Sequence, residues 1–190
     1  MIDERVMLFI DGNNIYGGMK ELKLKSDPTL PDFPDFSKLG RLLAQHRKII
    51  RSFFYNVQFD PKKNPVEYRR QSFVFNRIRE SCSMRFGRLL QRESGIYIEK
   101  GVDVLLTIDM IRLARLNSYD TAILLSGDGD FIETVKEVRE MGKRVELAYF
   151  PFQRSHELQS ACNRCHDITV SMIRMSMRTT MPQQMMVVGK

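Results

Sequence analysis

Cysteine is scarce in this chain: three among 190 residues, at Cys82, Cys162 and Cys165. A low, odd count argues against a disulfide framework and fits reduced thiols. The run Cys162-Asn163-Arg164-Cys165-His166 has the spacing of a haem-attachment motif, but that chemistry needs export and an axial partner, and the sequence offers neither. A zinc site would need a second Cys/His pair at ligand spacing, and only Cys82, His46 and His156 remain, scattered. The two late thiols are expected on a C-terminal helix. Long apolar runs are also missing: nothing approaches the about 18 uninterrupted residues of a membrane span. Residues 1–5 are charged and lead straight into an apolar run, without the h-region and cleavage site of an export signal. A cytoplasmic protein with no membrane partner is the expectation. No internal repeat occurs, and Gly12, Gly17 and Gly18 have the wrong spacing for the phosphate-binding turn of a dinucleotide domain.

What is present suffices for one domain, because 43% of the residues are apolar and a chain of this length buries most of its foldable surface. Lys and Arg exceed Asp and Glu by 30 to 23, giving +7 and a pI near 9.4. That balance favours a polyanionic partner, nucleic acid or an anionic membrane surface, with an ordinary basic surface as the plain alternative. Residues 6–10 (VMLFI) and 121–126 (TAILLS) are continuous apolar runs, as in strands buried on both faces of a sheet. Further strands are expected over 49–59, 95–99 and 144–150. Helices are expected over 13–25, from Phe36 to about Arg47, from Pro65 to about Cys82, after Asp103, over 131–141 with Gly142 as its C′ residue, and over 155–161. Alternation of this kind implies a mostly parallel α/β sheet with helices on both faces. The domain is expected to span 1–170, followed by a Met-rich, Pro-broken tail over 171–190 that is mobile or packs on a partner.

Acidic residues fall where such sheets bind ligands, outside the carboxyl ends of the strands. Asp11 directly follows the first apolar run, and Asp128 and Asp130 directly follow the second. Asp103 stands at a helix start, where its side chain can face the same place. Each has a structural explanation as well: Asp103 as a helix cap, the others as turn formers. Clustered carboxylates repel one another unless a cation neutralises them, and all-oxygen donors suit Mg²⁺ or Mn²⁺. Such an ion orients a water, polarises a phosphoryl group and stabilises a leaving oxygen. Asp109, about 240° around a helix from Asp103, is expected in a supporting position. Asn14 could hold a metal-bound water or cap its helix, and Lys100 could neutralise a phosphate or merely be solvated.

Three blocks, 8-LFIDGNNIY-16, 99-EKGVDVLLTIDM-110 and 124-LLSGDGDF-131, together resemble the NYN domain proteins of the LabA/DUF88 group, within the PIN-like nuclease superfamily. The resemblance covers about residues 5–168. It implies a Rossmann-like three-layer α/β/α fold, a divalent-metal site and ribonuclease activity or ancestry. Asp11 matches the first-strand acid, Asp103 the acid of Lys-Gly-Val-Asp, and Asp128 and Asp130 those of Ser-Gly-Asp-x-Asp-Phe. Asn14, Ser126 and Asp109 match associated polar positions. The chain departs from the pattern in its proline-rich insertion at 27–35, its arginine-rich region at 69–92 and its tail, so substrate choice does not transfer.

Rival enzymes fit less well. A phosphatase with an aspartate nucleophile wants a second acid where Asn13 stands, and a Toprim-like site usually begins with glutamate in place of Asp11. A non-catalytic RNA-binding or regulatory module remains the alternative, since possessing ligands does not place a water in line. Arg69, Arg70, Arg77 and Arg79 are expected to contact a nucleic-acid backbone, or else to form a solvated helix face. Homodimerisation is a further expectation.

Overall fold

The computed structural model describes residues 4–92 and 97–177. β1 (Arg5–Asp11) runs directly into α1 (Gly12–Lys25), and a proline-rich loop leads to α2 (Phe36–Ala44) and β2 (Lys48–Asn56). Then come α3 (Pro65–Arg79), β3 (Ser83–Phe86), β4 (Arg88–Gln91), β5 (Tyr97–Lys100) and α4 (Val102–Arg115). The second half holds β6 (Thr121–Leu125), a 3₁₀ turn (Gly129–Phe131), α5 (Ile132–Glu140), β7 (Arg144–Tyr149), α6 (His156–Ala161), β8 (Arg164–Asp167) and α7 (Val170–Ser176). Six strands form one sheet in the order β3-β2-β1-β6-β7-β8, every pairing parallel, while β4 and β5 make a separate antiparallel ribbon. The protein is a three-layer α/β domain.

Strand alternation sorts the core into two faces. Val6, Leu8 and Ile10 of β1 join the cluster under α1, α2, α3 and α7. Met7 and Phe9 join the one under α4, α5 and α6. Asp11 continues this second set, so the pleat aims it toward the α4 layer. After β1 the chain builds outward through β2, and after β6 it builds outward the other way through β7. Connections that diverge like this leave a crevice at the carboxyl ends of the two central strands. α1 starts without a linker only because residue 12 is glycine. A Cβ there would fall 2.5 Å from the Phe54 ring and 2.7 Å from the Tyr55 carbonyl oxygen.

The structure departs from or adds to these expectations at three points. The late thiols do not share a helix: Cys162 ends α6 and Cys165 lies on β8. Asn163 draws this segment beside β7, its N–H bonding the Val145 carbonyl at 2.7 Å while its side chain accepts the Val145 N–H at 2.8 Å. The boundary at 170 falls inside α7, which is capped by Thr169, buries Ile173, and pairs Arg174 with Asp27 at 2.7 Å. Residues 178–190, the rest of the expected tail, lie outside the described residues. Of the expected strand over 95–99, residues 95 and 96 lie outside the described residues and the rest falls on β5 at Tyr97–Lys100, whose partner β4 has no counterpart among the expected strands.

At the far side of the sheet one carboxylate is interior. Glu146 on β7 is 1% exposed. It receives Arg47 through Nη1 at 2.7 Å and Nη2 at 2.9 Å, and its Oε2 lies 2.8 Å from His166 Nε2. Burial alone would raise its pKa, but the His166 and Arg47 contacts outweigh that and hold it at about 2. Among the described residues, no helix is long and apolar enough to cross a membrane.

Candidate active site

The crevice at the carboxyl ends of β1 and β6 is a cleft of about 230 Å³ lined by Asp11, Asn13, Asn14, Glu99, Gly101, Val102, Asp103 and Asp128. Asp11 lies at its floor, 5% exposed. One of its oxygens caps α1 by accepting the Asn14 N–H at 3.1 Å, and the other accepts the Ser126 hydroxyl at 3.0 Å. Ser126 Oγ in turn accepts the Asp128 N–H at 3.2 Å, tying the ends of β1 and β6 together. The Asn14 side chain adds a second tie, its carbonyl oxygen accepting the Gly127 N–H at 2.9 Å. Gly127 is packed so closely that a Cβ would lie 2.2 Å from the Gln153 carbonyl oxygen.

Asp103 enters from the first turn of α4. The cap position belongs to Gly101 at φ 78°, and no side chain there makes a capping bond, so Asp103 is not spent as a helix cap. Asp128 does cap the 3₁₀ turn, accepting the Asp130 N–H at 3.0 Å. That turn carries Asp130 out of the cleft to the adjoining groove between α5 and α6, beside Glu133, Lys136 and His156. Asp130 still acts on the cleft electrostatically: burial, then Asp128 and Asp130, push the Asp103 carboxyl above its ordinary range. Burial pushes Asp11 up to about 6 against the stabilising Asn14 and Ser126 bonds, with Asp103 and Asp128 adding to the rise.

Sequence reading missed Glu99. It lies on β5, accepts a hydrogen bond from the Asn13 amide, and is raised by burial and by Asp103. The available signal was its place just before the Gly101 turn that introduces Asp103. Asn13 was missed as well; it spans Glu99 and Asn56, whose amide donates to it at 3.1 Å. Lys100 does not line the cleft. It is exposed on the ribbon directly across from Arg88.

Asp109 does not line the cleft. It is 1% exposed and receives the Tyr55 hydroxyl at 3.1 Å, Arg85 Nε at 2.8 Å and Arg112 Nη2 at 3.3 Å, which pins α4 to β2 and β3. Asp109→Asn is therefore expected to cost about 1–3 kcal/mol of stability while leaving the cleft acids in place, as urea unfolding beside a metal-binding titration would show. The four arginines of α3 are spread over one helix and none lines the cleft. Arg69 bonds its own helix carbonyl at Pro65, Arg77 lines a different groove, and Arg79 lies over the Phe86 ring. Arg69 and Arg79 are about 15 Å apart along the axis.

Among the described residues, no three His, Cys, Asp or Glu side chains are gathered tightly enough to close around an ion. The donor set nevertheless suits a hard divalent cation, being all-oxygen, crowded and charged against itself. A model of the NYN domain family matches residues 5–171. The chain belongs to the NYN domain family. A crystal structure of a Vibrio parahaemolyticus protein of unknown function shares this NYN chain's fold, with a TM-score of 0.67 at 22% identity, over 88% of this chain and 94% of that one. No curated protein matches the chain.

Proposed function

We propose that this NYN domain is a cytoplasmic, divalent-metal-dependent ribonuclease of the LabA/DUF88 group, hydrolysing RNA phosphodiesters in the acidic cleft. The observation that carries the reading is the meeting of Asp11, Glu99, Asp103 and Asp128, from three separate segments of the chain, around one small cavity. Mg²⁺ or Mn²⁺ would be held by Asp11, Asp103 and Asp128, with Glu99 lining the same cleft and Asp130 adding negative charge from the adjoining groove. Once bound, such an ion supplies an activated water and neutralises charge on the phosphoryl oxygens.

The chain's own groups do the rest. Ser126 and the Asn14 N–H fix the Asp11 carboxylate, so that it meets a ligand without reorganising. Because the Asn14 carbonyl is occupied by Gly127, its NH₂ is left to donate to a phosphate oxygen in the cleft. Arg69 and Arg70, on the near half of α3, with Arg77 and Arg79 beyond and Lys100 on the ribbon, supply cationic contacts to the backbone.

A labelled single-stranded RNA incubated with Mn²⁺, Mg²⁺ or EDTA tests this. Wild type is expected to cleave with either metal and not with EDTA, and Asp11→Asn or Asp128→Asn to lower the rate about 100-fold or more. A second reading, a non-catalytic RNA-binding module, draws support from the open spacing of the acids among the described residues. RNA binding by wild type without cleavage above that of the variants would establish that reading.

A further inference from the structure

α1 carries a stripe that leads out of the cleft. Asn13, Tyr16 and Lys20 recur at the spacing that puts residues on one helix face. Asn13 lines the cleft, Tyr16 is 47% exposed one turn further on, and Lys20 is exposed one turn beyond that, with no ion pair among the described residues. The Tyr16 ring is not loose. It stacks on Phe33 with centroids 5.6 Å apart and planes 29° apart. Phe33 is held in turn by Phe54 at 5.7 Å, edge to face, and by Phe36 at 6.3 Å. An exposed tyrosine is thus braced from behind by rings that reach into the core.

Beyond this pair the surface opens into a groove of about 430 Å³, walled by Pro31, Phe33, Pro34 and Phe73, with Arg77 among its lining residues. Phe73 is 70% exposed, an unusual position for a ring with no function. The two acids of the groove are already engaged. Asp32 pairs with Lys23 at 2.7 Å, and Asp35 accepts the Ser37 and Lys38 N–H groups. Apolar, aromatic walls with Arg77 in the groove, and Lys20 one turn from Tyr16 on α1, match a flat, uncharged heterocycle on a negative backbone.

We propose that Tyr16, backed by Phe33, is a stacking platform for an unpaired nucleobase of the strand whose phosphate occupies the acidic cleft, and that the groove beyond receives the next base. The occupant is therefore single-stranded nucleic acid, because a base inside a duplex is already stacked on both faces. This inference rests on the nuclease reading for the direction of the strand, and on the platform itself for affinity. Lys20 supplies a backbone contact one helical turn from the ring, the pairing of aromatic and cation used to track single strands.

Binding in EDTA separates the platform from the chemistry. Fluorescence anisotropy would compare a labelled single-stranded oligoribonucleotide, the same strand with abasic sites, and a fully paired duplex, each against wild type, Tyr16→Ala and Tyr16→Phe. Tyr16→Ala is expected to weaken single-strand binding about 5- to 150-fold, and Tyr16→Phe to stay within about twofold, since the π-face is kept. Wild type should lose a similar factor on the abasic strand and should bind the duplex weakly and independently of residue 16. Equal binding by wild type and Tyr16→Ala, or undiminished binding of the abasic strand, would overturn the platform even if metal-dependent cleavage is intact. Tyr16-dependent binding with no cleavage under any metal would instead retire the nuclease reading and leave the platform standing.

Discussion

Asp11→Asn is expected to make the metal-free protein more stable at neutral pH while lowering the proposed cleavage. In an unfolded chain this carboxyl ionises near 3.8, whereas burial and the neighbouring acids hold it to about 6 in the fold. Between those pH values the native state binds more protons than the unfolded one, so stability falls as pH rises, and the full cost stands above about 6. At about 1.4 kcal/mol per pKa unit, the substitution should recover up to about 3 kcal/mol at pH 8 and little at pH 4. Asn keeps the hydrogen-bond acceptor for Asn14, and the Ser126 hydroxyl can turn to meet the new amide. Thermal melts from pH 4 to 8 check the sign. Adding Mn²⁺ should raise the wild-type melting temperature and move the variant much less. A variant no more stable than wild type at pH 8 would mean that Asp11 is not under electrostatic strain.

The second large effect lies at the other side of the sheet. Among the described residues, Arg47→Ala leaves Glu146 interior with His166 alone, and breaking a buried pair from one side costs about 3–5 kcal/mol. Glu146 is depressed to about 2 from an ordinary 4.5, so its contribution is fully present above 4.5 and is lost as pH falls toward 2. The gap between wild type and Arg47→Ala in urea unfolding should therefore be widest near neutrality and narrow below pH 4. Part of it should persist, because Arg47 also bonds the Ala44 and Leu43 carbonyls. An unchanged gap at pH 3 would contradict the assigned role of the Glu146 charge.

The centre of the fold was legible because β1 and β6 are buried on both faces and so are apolar without interruption. The same property placed Asp11 and Asp128, since a strand that ends in an acid ends visibly. What escaped was the periphery. β3, β4 and β8 are four residues each, carry arginine, and include residues with exposed side chains. β3 and β8 pair with β2 and β7 across an intervening helix, and β4 pairs with β5 just after it in the chain, but runs this short and polar give no local signal. Glu99 was hidden for the same reason: on a lone strand it looks like a solvated residue, and only the ribbon with β4 swings it over Asn13. Asp130 faces the adjoining groove, although two acids spaced by one glycine look equivalent in sequence. The 3₁₀ turn that Asp128 caps sends the second one around the corner. Asp109 could be placed by helical angle alone, since α4 is regular.

The two walls of the cleft have different mechanical parentage. Asp11 and Asp128 are anchored in the six-stranded sheet, whereas Glu99 rides on a two-stranded ribbon of four residues per strand outside it. A ribbon of that size has little stability of its own. Lengthening, shortening or recharging it would resize the mouth without disturbing the inner acids. A change confined to the ribbon would therefore alter what the cleft admits while Asp11 and Asp128 stay where the sheet holds them.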